Sequence, residues 1–167
     1  VSGTSISFGS PVQFSGSRAD HVRATYAGSS KVVVVYEDFG NNQKGAAIVG
    51  TISGTSVSFG TQSFYDTSFP CQYNNIAYDP VNDKVLVIYY RSYGKGVVGT
   101  ISGTSISFGS DFDFDQTNVV RYGLGIVYSA LTGTFVIVYP DASGSNEGYY
   151  VQGTISGTNV SFTNPTQ

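Results

Sequence analysis

The stretch that decides the fold is Ser-Gly-Thr-Ser-Ile-Ser-Phe-Gly, which occupies residues 2–9 and recurs unchanged at residues 102–109. Residues 53–60 differ from it only by Val57 in place of isoleucine, and residues 156–162 form a looser fourth copy. The copies return about every 50 residues, a period typical of architectures that build one small sheet per repeat. The sequence therefore predicts a repeat protein with three full repeats and part of a fourth.

Each full repeat divides at its turn residues into four predicted strands, which we call a, b, c and d. Strand b is apolar at consecutive positions, as in the four valines of residues 32–35, which is typical of a strand covered on both faces. Strand d alternates apolar and polar residues, and the Gly-Thr centre of the c–d connection favours a primed hairpin turn. The predicted strands are 23–26, 31–37, 45–52 and 55–65; 74–78, 84–91, 96–101 and 104–114; and 125–128, 134–139, 148–155 and 158–163.

These strands predict an all-β fold, a β-propeller built from three four-stranded blades of about 50 residues each. Three blades are half of a six-bladed ring, which would be closed by dimerisation or belong to a longer array. The expected blades are residues 15–65, 66–114 and 115–167. Residues 1–14 form an additional d strand without a c strand of its own, suited to strand exchange with a partner; a fragment of a longer protein is the alternative. A β-sandwich and a β-solenoid are the rival folds.

Charge and cysteine content limit the classes of function. The net charge of −3 with few charged residues argues against a nucleic-acid partner, and no apolar run is long enough to insert in a membrane. The single cysteine, Cys71, is expected to be a packed thiol, and no cofactor or metal is expected. Because the chain has 13 tyrosines and no tryptophan, contact with a ligand by aromatic stacking falls mainly to tyrosine.

The combined pattern resembles a known group of repeats. Val-Val-Val-Tyr, a short Asp/Asn/Gly loop, and then Gly-x-x-Val-Gly-Thr-Ile-Ser-Gly-Thr-Ser-Ile-Ser-Phe-Gly stand at residues 32–36, 38–42 and 45–60, and again in the later repeats. This sequence pattern is similar to propeller-type repeats of secreted marine microbial proteins and of tail-associated proteins of marine bacteriophages. The resemblance implies extracellular or virion-surface display and contact with a receptor or glycan, and it implies no catalytic residues.

The candidate site lies in the loops that follow strands b and d. In a propeller these loops share one face, and here they diverge between repeats while the c–d turns stay nearly identical, a distribution typical of function carried on a rigid scaffold. Sugars are bound by aromatic faces together with amide, carboxylate and guanidinium groups. The predicted ligand-binding residues are Asp38, Asn41, Tyr73, Arg91, Tyr93, Arg121 and Tyr122.

The predicted function is a non-catalytic, lectin-like adhesion module that recognises a glycan or cell-surface receptor. The alternative is a structural component of a virion or extracellular fibre. His21, the only histidine, is interpreted as a surface loop residue, and the strand-b tyrosines as core. The acidic run of Asp111, Asp113 and Asp115 is interpreted as one solvated strand face.

Overall fold

The computed structural model describes residues 3–5, 7–68, 70–116, 122–141 and 147–163. Strands in three antiparallel sheets dominate this part of the chain, and its helical structure is the single 3₁₀ turn Phe39–Asn41, so the predicted all-β class is confirmed. We call the sheets units 1, 2 and 3. Unit 1 contains β1 Ala19–Tyr26, β2 Lys31–Asp38, β3 Lys44–Ser53, β4 Ser56–Phe59 and β5 Ser63–Asp66; unit 2 contains β6 Gln72–Asp79, β7 Lys84–Arg91, β8 Tyr93–Ser102, β9 Ser105–Phe108 and β10 Phe112–Asp115; unit 3 contains β11 Gly125–Ser129, β12 Thr134–Pro140, β13 Gly148–Ser156 and β14 Asn159–Phe162.

Each unit is an antiparallel meander in which sequential strands are neighbours. The third strand joins the fourth through the predicted primed turn, since Gly54, Gly103 and Gly157 all have a φ near +60° and the threonines after them do not. Predicted strand d is broken in units 1 and 2. Its first half, β4 or β9, pairs with the end of strand c, and its second half, β5 or β10, pairs with the beginning of the same strand.

Two apolar clusters hold the units face to face. The first joins units 1 and 2 and the second joins units 2 and 3. Strand β2 contributes Val33 and Val35 to the first cluster while Val34 faces the opposite way, and all three are buried. Fully burying one such side chain contributes about 1.5–3 kcal/mol. Stacking of the sheets therefore supplies much of the stability of the chain.

Strand β12 departs from the prediction that every strand b is covered on both sides. Phe135 and Ile137 are buried against unit 2, but Val138 on the opposite face is 48% exposed. The sequence of β12 is as apolar as that of β2 and β7, so its own residues do not explain the difference. The cause is that the described part of the chain provides no sheet on the far side of unit 3.

Each unit contacts the chain segment that precedes it in the same way, and we call this repeated contact the joint. An aromatic residue of that segment packs against the tyrosine at the end of the next strand b, with ring centroids 5.3–5.4 Å apart in the pairs Phe14–Tyr36, Tyr65–Tyr89 and Phe114–Tyr139. The three tyrosines are buried, as expected of core residues. The glycine that ends each repeated motif, at positions 9, 60 and 109, approaches the threonine of the next motif too closely for a Cβ atom.

The predicted extra strand over residues 1–14 is not a regular strand in its described residues. Ser5 forms an isolated bridge, and residues 7–18 are irregular. Nevertheless, Phe14 packs on Tyr36 as Tyr65 packs on Tyr89, so this segment follows the path of strand d. It lacks strand pairing because the described chain offers it no strand c.

Candidate functional site

One rim of the molecule carries an aromatic side chain from the start of each unit. His21 and Tyr73 both have a left-handed backbone, with φ of +51° and +55°, and both lie where the pairing of strand a with strand b shifts register. A positive φ is uncommon outside glycine and costs about 1–3 kcal/mol when a bulky residue is held there. The same unfavourable bulge thus occurs at equivalent positions of two units, where it sets the direction of the aromatic ring.

These side chains form a continuous aromatic row, defined here as His21, Tyr73 and Tyr122. The ring centroids of His21 and Tyr73 are 4.3 Å apart, and those of Tyr73 and Tyr122 are 5.0 Å apart in an edge-to-face arrangement. Both distances fall at or near the range favoured by aromatic pairs. Tyr122 is 65% exposed at one end of the row, whereas the other two rings are half-buried.

A buried carboxyl group lies beneath the row. Glu37 is 1% exposed, and its Oε2 lies 3.5 Å from His21 Nε2, while its Oε1 has no hydrogen-bond partner in the described chain. Burial, with a further contribution from the negative charge of Asp20 and an opposing one from Arg18, raises the pKa of Glu37 to about 7. Burial also lowers the pKa of His21, although Asp20 acts in the opposite direction. Near neutral pH the imidazole is therefore mostly uncharged.

The predicted ligand Asp38 is used inside the protein instead. Its buried carboxylate accepts hydrogen bonds from Ser17 Oγ, from the backbone N–H of Gly40 at 3.0 Å, from Asn41 Nδ2 at 2.7 Å and from Gln62 Nε2 at 2.6 Å. Burial acts to raise the pKa of Asp38, but these hydrogen bonds outweigh it and the pKa is lowered overall. Asp38 thus caps the 3₁₀ turn and orients the exposed Asn41, and it has little capacity left for a ligand.

The predicted ligand Arg91 is also held by protein groups. Its guanidinium donates to Asp66 Oδ1 at 2.8 Å and to Asp111 Oδ2 at 3.1 Å, and thereby ties unit 1 to unit 2. Lys95 Nζ continues the network to Asp111 at 3.0 Å and to Asp113 at 2.5 Å. The interpretation of the acidic run as one solvated face is therefore wrong.

A register shift after Asp113 accounts for the rest of the acidic run. This shift leaves Asp115 buried, whereas the two preceding aspartates of the run pair with cations. The bulge is decided by pairing with strand β8, which the alternation of β10 alone does not reveal.

Of the remaining predicted residues, Tyr93 is exposed at the start of β8 and Arg121 lies outside the described residues. The structure brings Tyr73 and Tyr122 together and places Asn41 beside Asp38, while Arg91 belongs to a separate ionic network. Sequence reasoning missed His21 and Glu37. The signal for His21 was available, because it follows the motif phenylalanine by 13 residues, while Tyr73 and Tyr122 each follow theirs by 14.

Comparison of the chain with protein-family models, with curated proteins and with solved structures gave no match. Within the described residues, no helix has the length and apolar character needed to cross a membrane, and no three metal-ligating side chains are grouped.

Proposed function

We propose that the chain is a set of three β-propeller blades that serves as a non-catalytic binding module, with the aromatic row as the centre of its recognition surface. The observation that carries this proposal is the repeated, strained bulge that directs aromatic rings to one rim. Strain that is kept at corresponding sites, next to divergent loops, is typical of positions under functional constraint.

The chemistry of the rim fits a glycan or a glycosylated cell-surface receptor. The exposed ring of Tyr122 offers a face for a sugar, and Asn41 and Tyr93 add groups that donate and accept hydrogen bonds. We include Arg121 in the proposed surface because it precedes Tyr122 in the sequence. Asp38 and Arg91 serve this surface by holding loops. Display outside the cell or on a virion follows from the resemblance of the repeats and belongs to the same proposal.

A glycan array and a cell-binding assay test this function. We compare the unmodified chain with Tyr122→Ala and with Tyr26→Ala, a matched control because Tyr26 is similarly exposed and lies at the opposite end of strand a. A stacking contact is worth about 1 kcal/mol, so Tyr122→Ala should weaken binding roughly fivefold while Tyr26→Ala leaves it unchanged. Absence of binding to glycans and cells alike, or equal losses in the two variants, would contradict the proposal.

An assembly component of a virion or fibre is the second candidate function. The observation that favours it is the exposed apolar face of unit 3, because an exposed apolar patch is typical of a surface that contacts a partner. The two functions are compatible, since the face and the aromatic row are separate surfaces.

A further inference from the structure

Unit 3 exposes a face that is buried in the other two units. Val127, Val138 and Tyr150 are 59%, 48% and 38% exposed on this face, which we call the trailing face. The equivalent residues Ala77 and Ile88 of unit 2 are buried beneath unit 3. The trailing face therefore has the composition of a joint between units but is not covered in the described chain.

The edge of the same sheet is also incomplete. In unit 1 residues 45–47 pair with β5, and in unit 2 residues 94–96 pair with β10. The corresponding residues 148–150 of β13 pair with β12 on one side, and no described strand pairs with them on the other. Within residues 122–141 and 147–163, these three positions thus leave backbone groups open to an added strand, where each other unit receives the second half of strand d.

Residues 9–15, which we call the leading segment, correspond to the second half of a strand d but have no strand c to pair with in the described chain. They correspond in the repeat to residues 60–66 and 109–115, the segments that contain β5 and β10. Phe14 already packs on Tyr36, and Gly9 already approaches Thr55, as their counterparts do at the other joints. No described strand pairs with this segment, and Val12 within it is 50% exposed.

We propose that the leading segment of a second copy of this chain completes the open edge of β13, while unit 1 of that copy covers the trailing face. The pairing of β5 with β3 and of β10 with β8 fixes an antiparallel register: Gly148 opposite Ser15, Tyr149 opposite Gln13, and Tyr150 opposite Val12. The leading segment does not have to leave its own unit 1, because β5 and β10 likewise contact two units at once. Two such joints close a ring of six units from two copies.

This inference rests on the repeated joint and not on the proposed binding function, so a negative glycan array leaves it intact. The experiment is a disulfide cross-link. Val12→Cys combined with Tyr150→Cys places the thiols at directly opposed positions, whereas Val12→Cys combined with Val138→Cys places them one strand further apart, about 9–10 Å between backbones. Disulfides form only when the two Cα atoms lie within about 7 Å.

Mild oxidation should link the Val12/Tyr150 variant between copies in high yield, and the Val12/Val138 variant at least tenfold less. Native Cys71 is buried and should not contribute, which the unmodified chain controls. Light scattering should give about twice the 17.7 kDa mass of one chain, and Tyr150→Lys should lower it toward the monomer. An assembly larger than a dimer would also support the proposed joint if the Val12/Tyr150 variant forms the cross-link and the Val12/Val138 variant does not. A monomer at tens of micromolar, or equal linking of both pairs, would overturn the proposal, because the edge would then be closed from within the chain or left open.

Discussion

Replacing Glu37 with glutamine should make the protein more stable above pH 7 and change its stability little at pH 5. The carboxyl group of Glu37 has a folded pKa of about 7, raised mainly by burial, against an ordinary value of 4.5. Between these values the folded state holds a proton that the unfolded state has lost. Stability therefore falls as the pH rises through this window, and it stays reduced above pH 7 because folding must then bury a charge. Glutamine has the same shape and carries no charge.

The size of the effect follows from the two pKa values. Each pH unit between them corresponds to about 1.4 kcal/mol, so the unmodified protein loses at most about 3 kcal/mol through this group between pH 4 and pH 8. His21 opposes the trend, because its lowered pKa makes the unfolded state the stronger proton binder just below pH 6.5, and stability rises with pH there. Because both proteins contain His21, most of the histidine contribution cancels when the free energy of unfolding of the unmodified protein is subtracted from that of the variant.

Urea unfolding at pH 5, 6, 7 and 8 measures the prediction. We expect the free energy of unfolding of Glu37→Gln to exceed that of the unmodified protein by about 1–3 kcal/mol at pH 8, with a difference below about 1 kcal/mol at pH 5. Glu147→Gln, the same change at the only other glutamate, is the control and should not reproduce this pattern. A difference that does not vary with pH, or a loss of stability at pH 8, would refute the assignment of Glu37 as a buried carboxyl with a raised pKa.

Three further predictions concern the joint between units 1 and 2. Gly60→Ala should destabilise the protein by more than about 2 kcal/mol in urea, because the added Cβ collides with the carbonyl of Thr104, whereas Gly54→Ala, which adds strain without a collision, should cost about 1 kcal/mol. Tyr89→Phe should cost no more than about 1.5 kcal/mol, since the buried hydroxyl makes no well-formed hydrogen bond in the described chain and has only a long contact with Asp66, while Tyr89→Ala should cost about 3–5 kcal/mol in the same assay. Cys71 should react with a thiol reagent only as fast as the protein opens, because burial removes access and raises the pKa of the thiol; rapid modification of the native protein would contradict this.

Local patterns in the sequence were sufficient to predict strands a, b and c of every unit. Turn residues recur at fixed places, and the long apolar runs between them leave few alternatives to the three antiparallel meanders. The break in strand d could not be predicted from the strand itself. It occurs at residues 60–62, where Gly60 meets Thr104 of the next unit, so its cause is a contact between residues more than 40 positions apart.

The site was less predictable than the fold for the same physical reason. Polar residues in loops look alike in a sequence whether they face solvent or another unit. Asp38 and Arg91 were selected as ligand-binding groups, yet each is saturated by partners from other segments, Gln62 in one case and Asp66 in the other. His21 was interpreted as an ordinary loop residue because its ring gains significance only when stacked beside Tyr73.

The repeated joint also determines the spacing of the aromatic row. The ring centroids of the row lie 4.3 and 5.0 Å apart because each joint stacks the next strand a beside the last, and the row reads His21, Tyr73 and Tyr122 in chain order. If a second copy forms the same joint with unit 3, its first unit follows Tyr122, and the row continues across the boundary between copies. A two-copy ring would then present six aromatic rings in this row, three from each copy. Assembly and recognition would in that case both depend on how one unit stacks on the next at the joint. Loss of the joint between copies would shorten the aromatic row without altering any residue in it.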